Sequence, residues 1–235
     1  MLSFAHFRVL TFDCYGTLIN WEQGILSALR PLLAAHNCSL PDDDILERFA
    51  SLEAAAETGP YRPYRDVLAH VVDGLAAQLQ FTPTPQERDS LAASLAHWPP
   101  FPDTVAALRT LKKHYKLAII SNIDDDLFAH SARRLQVAFD WVITAQQAQA
   151  YKPSARNFTI ALERLALPKE HILHVAQSLY HDITPATQLG LATVWVNRRH
   201  GQASAGATPP AQATPDLEVP DLRTLVDMMG HRDVT

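Results

Sequence analysis

The spacing of apolar residues divides this chain into three stretches. Val9-Leu10-Thr11-Phe12 is a short apolar and β-branched run without helical spacing, which predicts a strand covered on both faces, as in a parallel sheet. It ends at Asp13, in a turn that holds Thr17 and Gly16; the glycine permits φ > 0 or close approach of a ligand. From Trp21 to about His97 the apolar positions recur at helical spacing, as in Ile25, Leu29, Leu32, Leu33 and in Val67, Leu68, Val71, Val72, Leu75, Leu79, and no strand pattern interrupts them. Breaks at Ser39-Leu40-Pro41, at Thr58 to Pro63 and at Thr82-Pro83-Thr84-Pro85 predict roughly four helices. The segment Trp98-Pro99-Pro100-Phe101-Pro102 cannot continue a helix and suits a hinge or linker.

Beyond the linker, helix and strand alternate. Asp103 is the expected N-cap of a helix through Val105, Leu108 and Leu111. Leu117 to Ile120, Trp141 to Ile143, Ile172 to Val175 and Thr193 to Val196 read as strands, the last of them completing the sheet. Helices run through Leu127 and Leu135, behind Ser154 through Phe158 to Leu165, near Pro185 to Leu189, and near Leu222 to Met229. Gly201 to Pro215, rich in Ala, Pro, Gly and Ser, reads as a mobile surface loop. The pattern predicts an α/β fold, a doubly wound parallel sheet of Rossmann-like type with an inserted all-helical cap. The expected boundaries are 1–18 and 101–235 for the core and 19–100 for the cap.

Composition narrows the setting. With 235 residues, 47% of them hydrophobic and 19% charged, the chain can bury a sizeable core. A net charge of −5 and scattered basic residues give no reason to expect nucleic acid or an anionic membrane as partner. No apolar run is long enough for a membrane span. Cys14 and Cys38 are too few for a disulfide framework and lie in no metal-ligand spacing, so they read as reduced thiols of a cytoplasmic protein.

Right-handed crossovers bring the strand ends to one edge of the sheet, where open α/β sheets bind ligands. That edge would carry Asp13 and Thr17, Ser121 and Asn122, Lys152, and Gln177, Ser178 and Asp182. Each has a plain structural reading: Ser121 and Asn122 as turn formers, Lys152 as a solvated loop residue, Asp182 as a helix cap. A nucleophile, a hydroxyl-amide pair, a cation and a second carboxylate at successive strand ends together point to a catalytic cleft.

With these residues in view, the chain resembles the haloacid dehalogenase-like superfamily. The four motifs of that family map onto Asp13-Cys14-Tyr15-Gly16-Thr17, Ser121-Asn122, Lys152-Pro153 and the region ending in Asp182. Most members are magnesium-dependent phosphatases, with an acid two residues after the nucleophile and a Gly-Asp pair in the last motif. Here those positions hold Tyr15 and Ala176-Gln177. The resemblance therefore implies the 2-haloacid dehalogenase branch, with no metal and no cofactor. It implies that Asp13 attacks the halogen-bearing carbon of a short 2-haloacid to form an ester, which water then hydrolyses to a 2-hydroxy acid. Thr17 would orient Asp13, Lys152 would keep it ionised, and Asp182 would hold Lys152 and handle the water. Ser121 and the turn of Cys14 and Tyr15 would bind the substrate carboxylate, Asn122 would face the halide, and Ser178 would add a hydrogen bond to the nucleophile or to the water.

The branch also carries an arginine in the cap, for which Arg48 is the nearest candidate, and a tyrosine where this chain has Phe158. Tyr61, Arg62, Tyr64 and Arg65 form a second basic and aromatic cluster that either reaches the cleft or packs between helices. His181 reads equally as a water-handling or a packing residue. The resemblance further implies a homodimer, although no periodic exposed stripe marks its face. Two alternatives stay open: a magnesium-dependent phosphatase of the same fold, and a binding protein that keeps the fold without turnover.

Overall fold

The computed structural model describes residues 2–202 and 206–231. Strand β1 (Val9–Phe12) is followed by helices α1 (Trp21–Ala35), α2 (Asp42–Ala56), α3 (Tyr64–Leu79), α4 (Pro85–Arg88) and α5 (Ser90–Ser94), which form the cap. The core resumes with α6 (Thr104–Lys112), β2 (Lys116–Ser121), α7 (Asp125–Leu135), β3 (Trp141–Thr144), α8 (Ala145–Ala148) and α9 (Ala155–Leu165). It closes with β4 (Ile172–Ala176), α10 (Thr184–Gln188), β5 (Ala192–Val196), β6 (Leu217–Val219) and α11 (Leu222–Met228). The strands form one parallel sheet in the order β3-β2-β1-β4-β5-β6. No helix among the described residues is long and apolar enough to cross a membrane.

Alternation along β1 sorts its side chains between two layers. Leu10 and Phe12 pack with Leu108 and Leu111 of α6 and Leu225 of α11. Val9 faces the other way, with Phe158 and Ala161 of α9 and Ala186 of α10. Both faces are covered, which is why the strands read as continuous apolar runs. In register, Phe12 lies opposite Ile119 on one side and Val175 on the other. The residues after each strand therefore leave the sheet at one edge.

Several expectations need correction. The fourth cap helix is broken into α4, α5 and a 3-10 turn at Leu95–His97; Thr84 forms a capping box with Glu87, and Asp89 and Ser90, which prefer caps to helix interiors, fall at the junction. Asp103 makes no side-chain cap hydrogen bond; its carboxylate instead pairs with Arg198 and accepts from Leu222 N–H. The sheet is completed by β6 and not by β5. The segment read as a mobile surface loop extends over 203–205, which lie outside the described residues, but Ala207 and Thr208 are buried. They are held there because Ala207 N–H donates to Glu22 and Thr208 Oγ1 to Gln177 Oε1.

Cap and core are joined by a buried carboxylate. The first turn of α3 follows Pro63, which makes no side-chain cap, and the orphan N–H groups of Tyr64 and Arg65 donate instead to Asp124, 2.9 and 3.1 Å away at the start of α7. Tyr61 Oη donates to the same side chain. A core residue thus caps a cap helix, and satisfies donors that would otherwise be buried unpaired.

Candidate active site

Asp13 leaves β1 at the C-terminal edge of the sheet and is almost fully buried. Its Oδ2 accepts from Thr17 Oγ1 at 2.7 Å and its Oδ1 from Lys152 Nζ at 2.9 Å. The turn between them depends on Gly16, whose φ is +91° and where a Cβ would stand 3.0 Å from both Gln177 Oε1 and Trp21 Nε1. Gln177 N–H donates to Thr17 Oγ1, so the end of β4 fixes the hydroxyl that fixes the nucleophile.

Lys152 is 1% exposed. Its ammonium donates to Asp13 Oδ1 (2.9 Å), to Asp182 Oδ1 (2.7 Å) and to Ile120 O (2.9 Å), which uses all three N–H bonds. Burial works against the charged lysine, but Asp13 and Asp182 outweigh it and the pKa is raised. Burial likewise pushes the Asp182 carboxyl up, yet Lys152 and His174 hold it below the usual range. Burial raises Asp13, Lys152 and Thr17 oppose that, and Asp182 adds to it. The triad is one ammonium shared by two carboxylates.

Behind the triad lies His174, fully buried in β4. Its Nε2 is 3.1 Å from Asp182 Oδ1 and its Nδ1 is 2.9 Å from Thr11 Oγ1. After β4 the chain makes a π turn, Leu179–Ile183, of the kind that recurs at functional sites. Ser178 opens it by accepting from His181 N–H, and its hydroxyl also meets His181 Nδ1 at 3.1 Å. Burial pushes His181 down to about 4, so the ring is neutral near pH 7.

These groups line a cavity of about 30 Å³, room for a few heavy atoms. Asp13, Tyr15, Ser121, Asn122, Lys152, Ser178 and Asp182 all reach it. Thr17 acts from behind Asp13. Tyr15 presents its ring, because its hydroxyl is held by Ser131 at 2.8 Å. Ser121 Oγ and Asp182 Oδ2 are buried with no hydrogen-bond partner among the described residues.

Other expected contacts are absent. Arg48 does not line the cavity; it sits on the turn of α2 that faces α3 and donates to Gln78. The Cys14 side chain packs in the hydrophobic core, and burial pushes its thiol up, so only its backbone belongs to the turn. Asn122 braces the site: its Oδ1 accepts from Lys152 N–H and its Nδ2 donates to Lys152 O. Ser178 bonds to His181 and makes no hydrogen bond to Asp13. Of the basic and aromatic cluster only Tyr64 reaches the cavity; Arg65 pairs with Asp126, and Tyr61 stacks on Tyr151 with centroids 5.4 Å apart.

The cap contributes what sequence reasoning missed. Glu53, in the last turn of α2, and Glu57, its C-cap, line the cavity across from Asp13, with Trp21 and Tyr64. Glu53 Oε1 accepts from Tyr64 Oη at 2.5 Å. Glu53 continues the stripe Ile45, Leu46, Phe49, Ala50 that α2 buries, so a carboxyl in an apolar register was the available signal there; Glu57, half-buried, is the helix's C-cap one turn further on. His174 gave a similar one, as an imidazole inside an otherwise apolar strand.

Comparison with known proteins agrees with this architecture. The family model for haloacid dehalogenase-like hydrolases matches residues 7–190. An (S)-2-haloacid dehalogenase of Pseudomonas fluorescens is 26% identical over 81% of this chain and 84% of its own. Haloacetate dehalogenase H-2 of Moraxella sp. (strain B) is 25% identical over 95% and 98%. The L-2-haloacid dehalogenase structure from Xanthobacter autotrophicus superposes with a TM-score of 0.78 at 19% identity, covering 97% of this chain and all of that one; that likeness bears on the fold. The family model spans well over half of the chain, and the chain belongs to the haloacid dehalogenase-like hydrolases.

Proposed function

We propose that the protein is a hydrolytic dehalogenase of short 2-haloacids, of the haloacetate or 2-halopropionate kind. The observation that carries this reading is the ammonium of Lys152 bonded to both Asp13 and Asp182. It supplies beside the nucleophile the positive charge that a metal supplies in phosphatases. Asp13 attacks the halogen-bearing carbon; the carbon–halogen bond breaks and the halide leaves with the electron pair. Water then adds to the carbonyl of the resulting aspartyl ester, and collapse returns Asp13 and releases a 2-hydroxy acid. Halide needs no proton on leaving, in keeping with Tyr15, whose hydroxyl is turned to Ser131. Asp182, whose Oδ2 is buried without a partner among the described residues and whose side chain lines the cavity, takes the hydrolytic water. The relatives named as 2-haloacid and haloacetate dehalogenases support the same chemistry.

The donor set fits magnesium poorly. That ion takes an octahedron of hard oxygens with carboxylates among them. Here residue 177 is an amide, and Asp13 Oδ1 and Asp182 Oδ1 are already committed to an ammonium. We therefore read the reaction as metal-independent.

The test is halide release from chloroacetate, fluoroacetate and each enantiomer of 2-chloropropionate in EDTA, with Asp13→Asn as control. Release that survives EDTA and vanishes in the variant is expected. Phosphate-ester hydrolysis that needs added Mg²⁺, without halide release, would overturn the reading in favour of a phosphatase; silence in both assays would leave a binding role.

A further inference from the structure

A haloacid brings a carboxylate into a cavity that has no free cation to receive it. Lys152 is the one Lys or Arg among the residues lining it, and its N–H bonds are all spent inside the protein. With Asp13 and Asp182 ionised, and His181 neutral, the core side of the cavity already carries a net negative charge. Ser121 Oγ, unpartnered and 0% exposed, offers the substrate one uncharged donor. The cap side offers Glu53 and Glu57 where an arginine was expected. If both were ionised they would oppose an anion across a space of a few atoms, in a setting where water screens little.

We propose that Glu57, backed by Glu53, is the cap's carboxylate-recognition group, working as a protonated carboxyl that donates a hydrogen bond to the substrate anion, so that haloacid and proton bind together. The proposal rests on the dehalogenase reading for the identity of the anion. Its geometry is that of a carboxyl whose oxygens have only a long contact, 3.4 Å each, to Asn122 Nδ2, while one oxygen of Glu53 is taken by the Tyr64 hydroxyl. The surroundings favour the proton: burial and then Glu53 push Glu57 well up, Lys152 and Asn122 only partly offsetting them, and burial pushes Glu53 up to about 7. The groups facing the pair are Tyr64 from α3, Asn122 from the loop after β2, Tyr151 and Lys152 from the loop before α9, and Asp13, His181 and Asp182 across the cavity. An arriving anion strengthens the hold on the proton further.

The measurement is binding of glycolate, which has the carboxylate and no leaving group, to wild type and to Glu57→Gln, by calorimetry in two buffers of different ionisation heat from about pH 6 to about pH 9. Wild type is expected to take up about one proton per anion once pH exceeds the raised pKa of free Glu57, with Kd there rising towards about tenfold per pH unit. In Glu57→Gln, whose amide cannot ionise, the uptake and the slope shrink to what Glu53, titrating at about 7, supplies, and disappear at higher pH, while the amide still donates. Glu53→Gln, read alongside, lowers the pH at which the slope begins, because a neutral neighbour lets Glu57 ionise sooner. No proton uptake, glycolate binding that tightens as pH rises, no binding at any pH, or better binding of an amine-bearing analogue would each overturn the proposal. Proton-linked glycolate binding without halide release from any haloacid would uphold it and refute the dehalogenase reading instead.

Discussion

His174 Nε2 stands 3.1 Å from Asp182 Oδ1, the oxygen that also receives the Lys152 ammonium. The imidazole is rooted in β4 and anchored at its other nitrogen to Thr11, so a rigid strand sets the angle at which the second carboxylate meets the lysine. His174 touches neither the cavity nor the nucleophile, which makes it a positioning residue.

His174→Leu should lower kcat about tenfold, the worth of one hydrogen bond held in place, and leave KM nearly unchanged, since no substrate contact is lost. His174→Gln, which can reach Asp182, should recover part of the loss. Steady-state halide release separates the two parameters; a loss confined to KM, or none in kcat, would contradict the assignment.

Lys152→Ala removes one partner of a buried network and leaves Asp13 and Asp182 facing each other unpaired. The expected cost is about 3–5 kcal/mol of stability at neutral pH, read as a lower urea midpoint. The loss should shrink in acid as the stranded carboxyls take up protons. A variant as stable as wild type at pH 7 would mean that the ammonium contributes little to folding.

The neutral state of His181 has a consequence for acid stability. Its folded pKa, about 4, lies below the ordinary value of about 6.5. Above the ordinary value neither state binds the proton and the histidine costs nothing. As pH falls below it the unfolded chain is protonated first, so stability is lost progressively until the folded pKa is reached, by about 3 kcal/mol in all. His181→Asn should flatten the fall in unfolding free energy between about pH 6.5 and about pH 4. An unchanged slope would show that carboxylates dominate that range.

Much of the fold is legible from the period of apolar positions, because β1, β2 and β4 are covered on both faces and the cap helices bury broad stripes. β6 was not: it has three residues, one of them exposed, and follows a proline-rich segment that local pattern marks as loop. It becomes a strand only because β5 presents an open edge. The π turn was hidden for a related reason, since one extra residue in a short segment leaves no periodic trace. In the site, Asp13, Lys152 and Asp182 could be found because strand ends converge whatever lies between them. Arg48 failed because a helix places neighbouring residues about 100° apart, and an uncertain register chose the wrong side of α2. Glu53 and the C-cap Glu57 turn to the cavity instead, and a reading that sought a cation in the cap passed over both.

The buried loop at 206–208 ties together parts that are far apart in the chain. Ala207 and Arg199 both grip Glu22 in the first turn of the cap, Arg199 also reaches Asp43 on α2, and Thr208 rests on Gln177 beside the nucleophile's turn. The cap therefore cannot swing clear of Asp13 without tearing out this latch. The return to β6 and the start of the cap are thereby coupled: any rearrangement that lifts α1 from the core must also break the contacts of Arg199, Ala207 and Thr208.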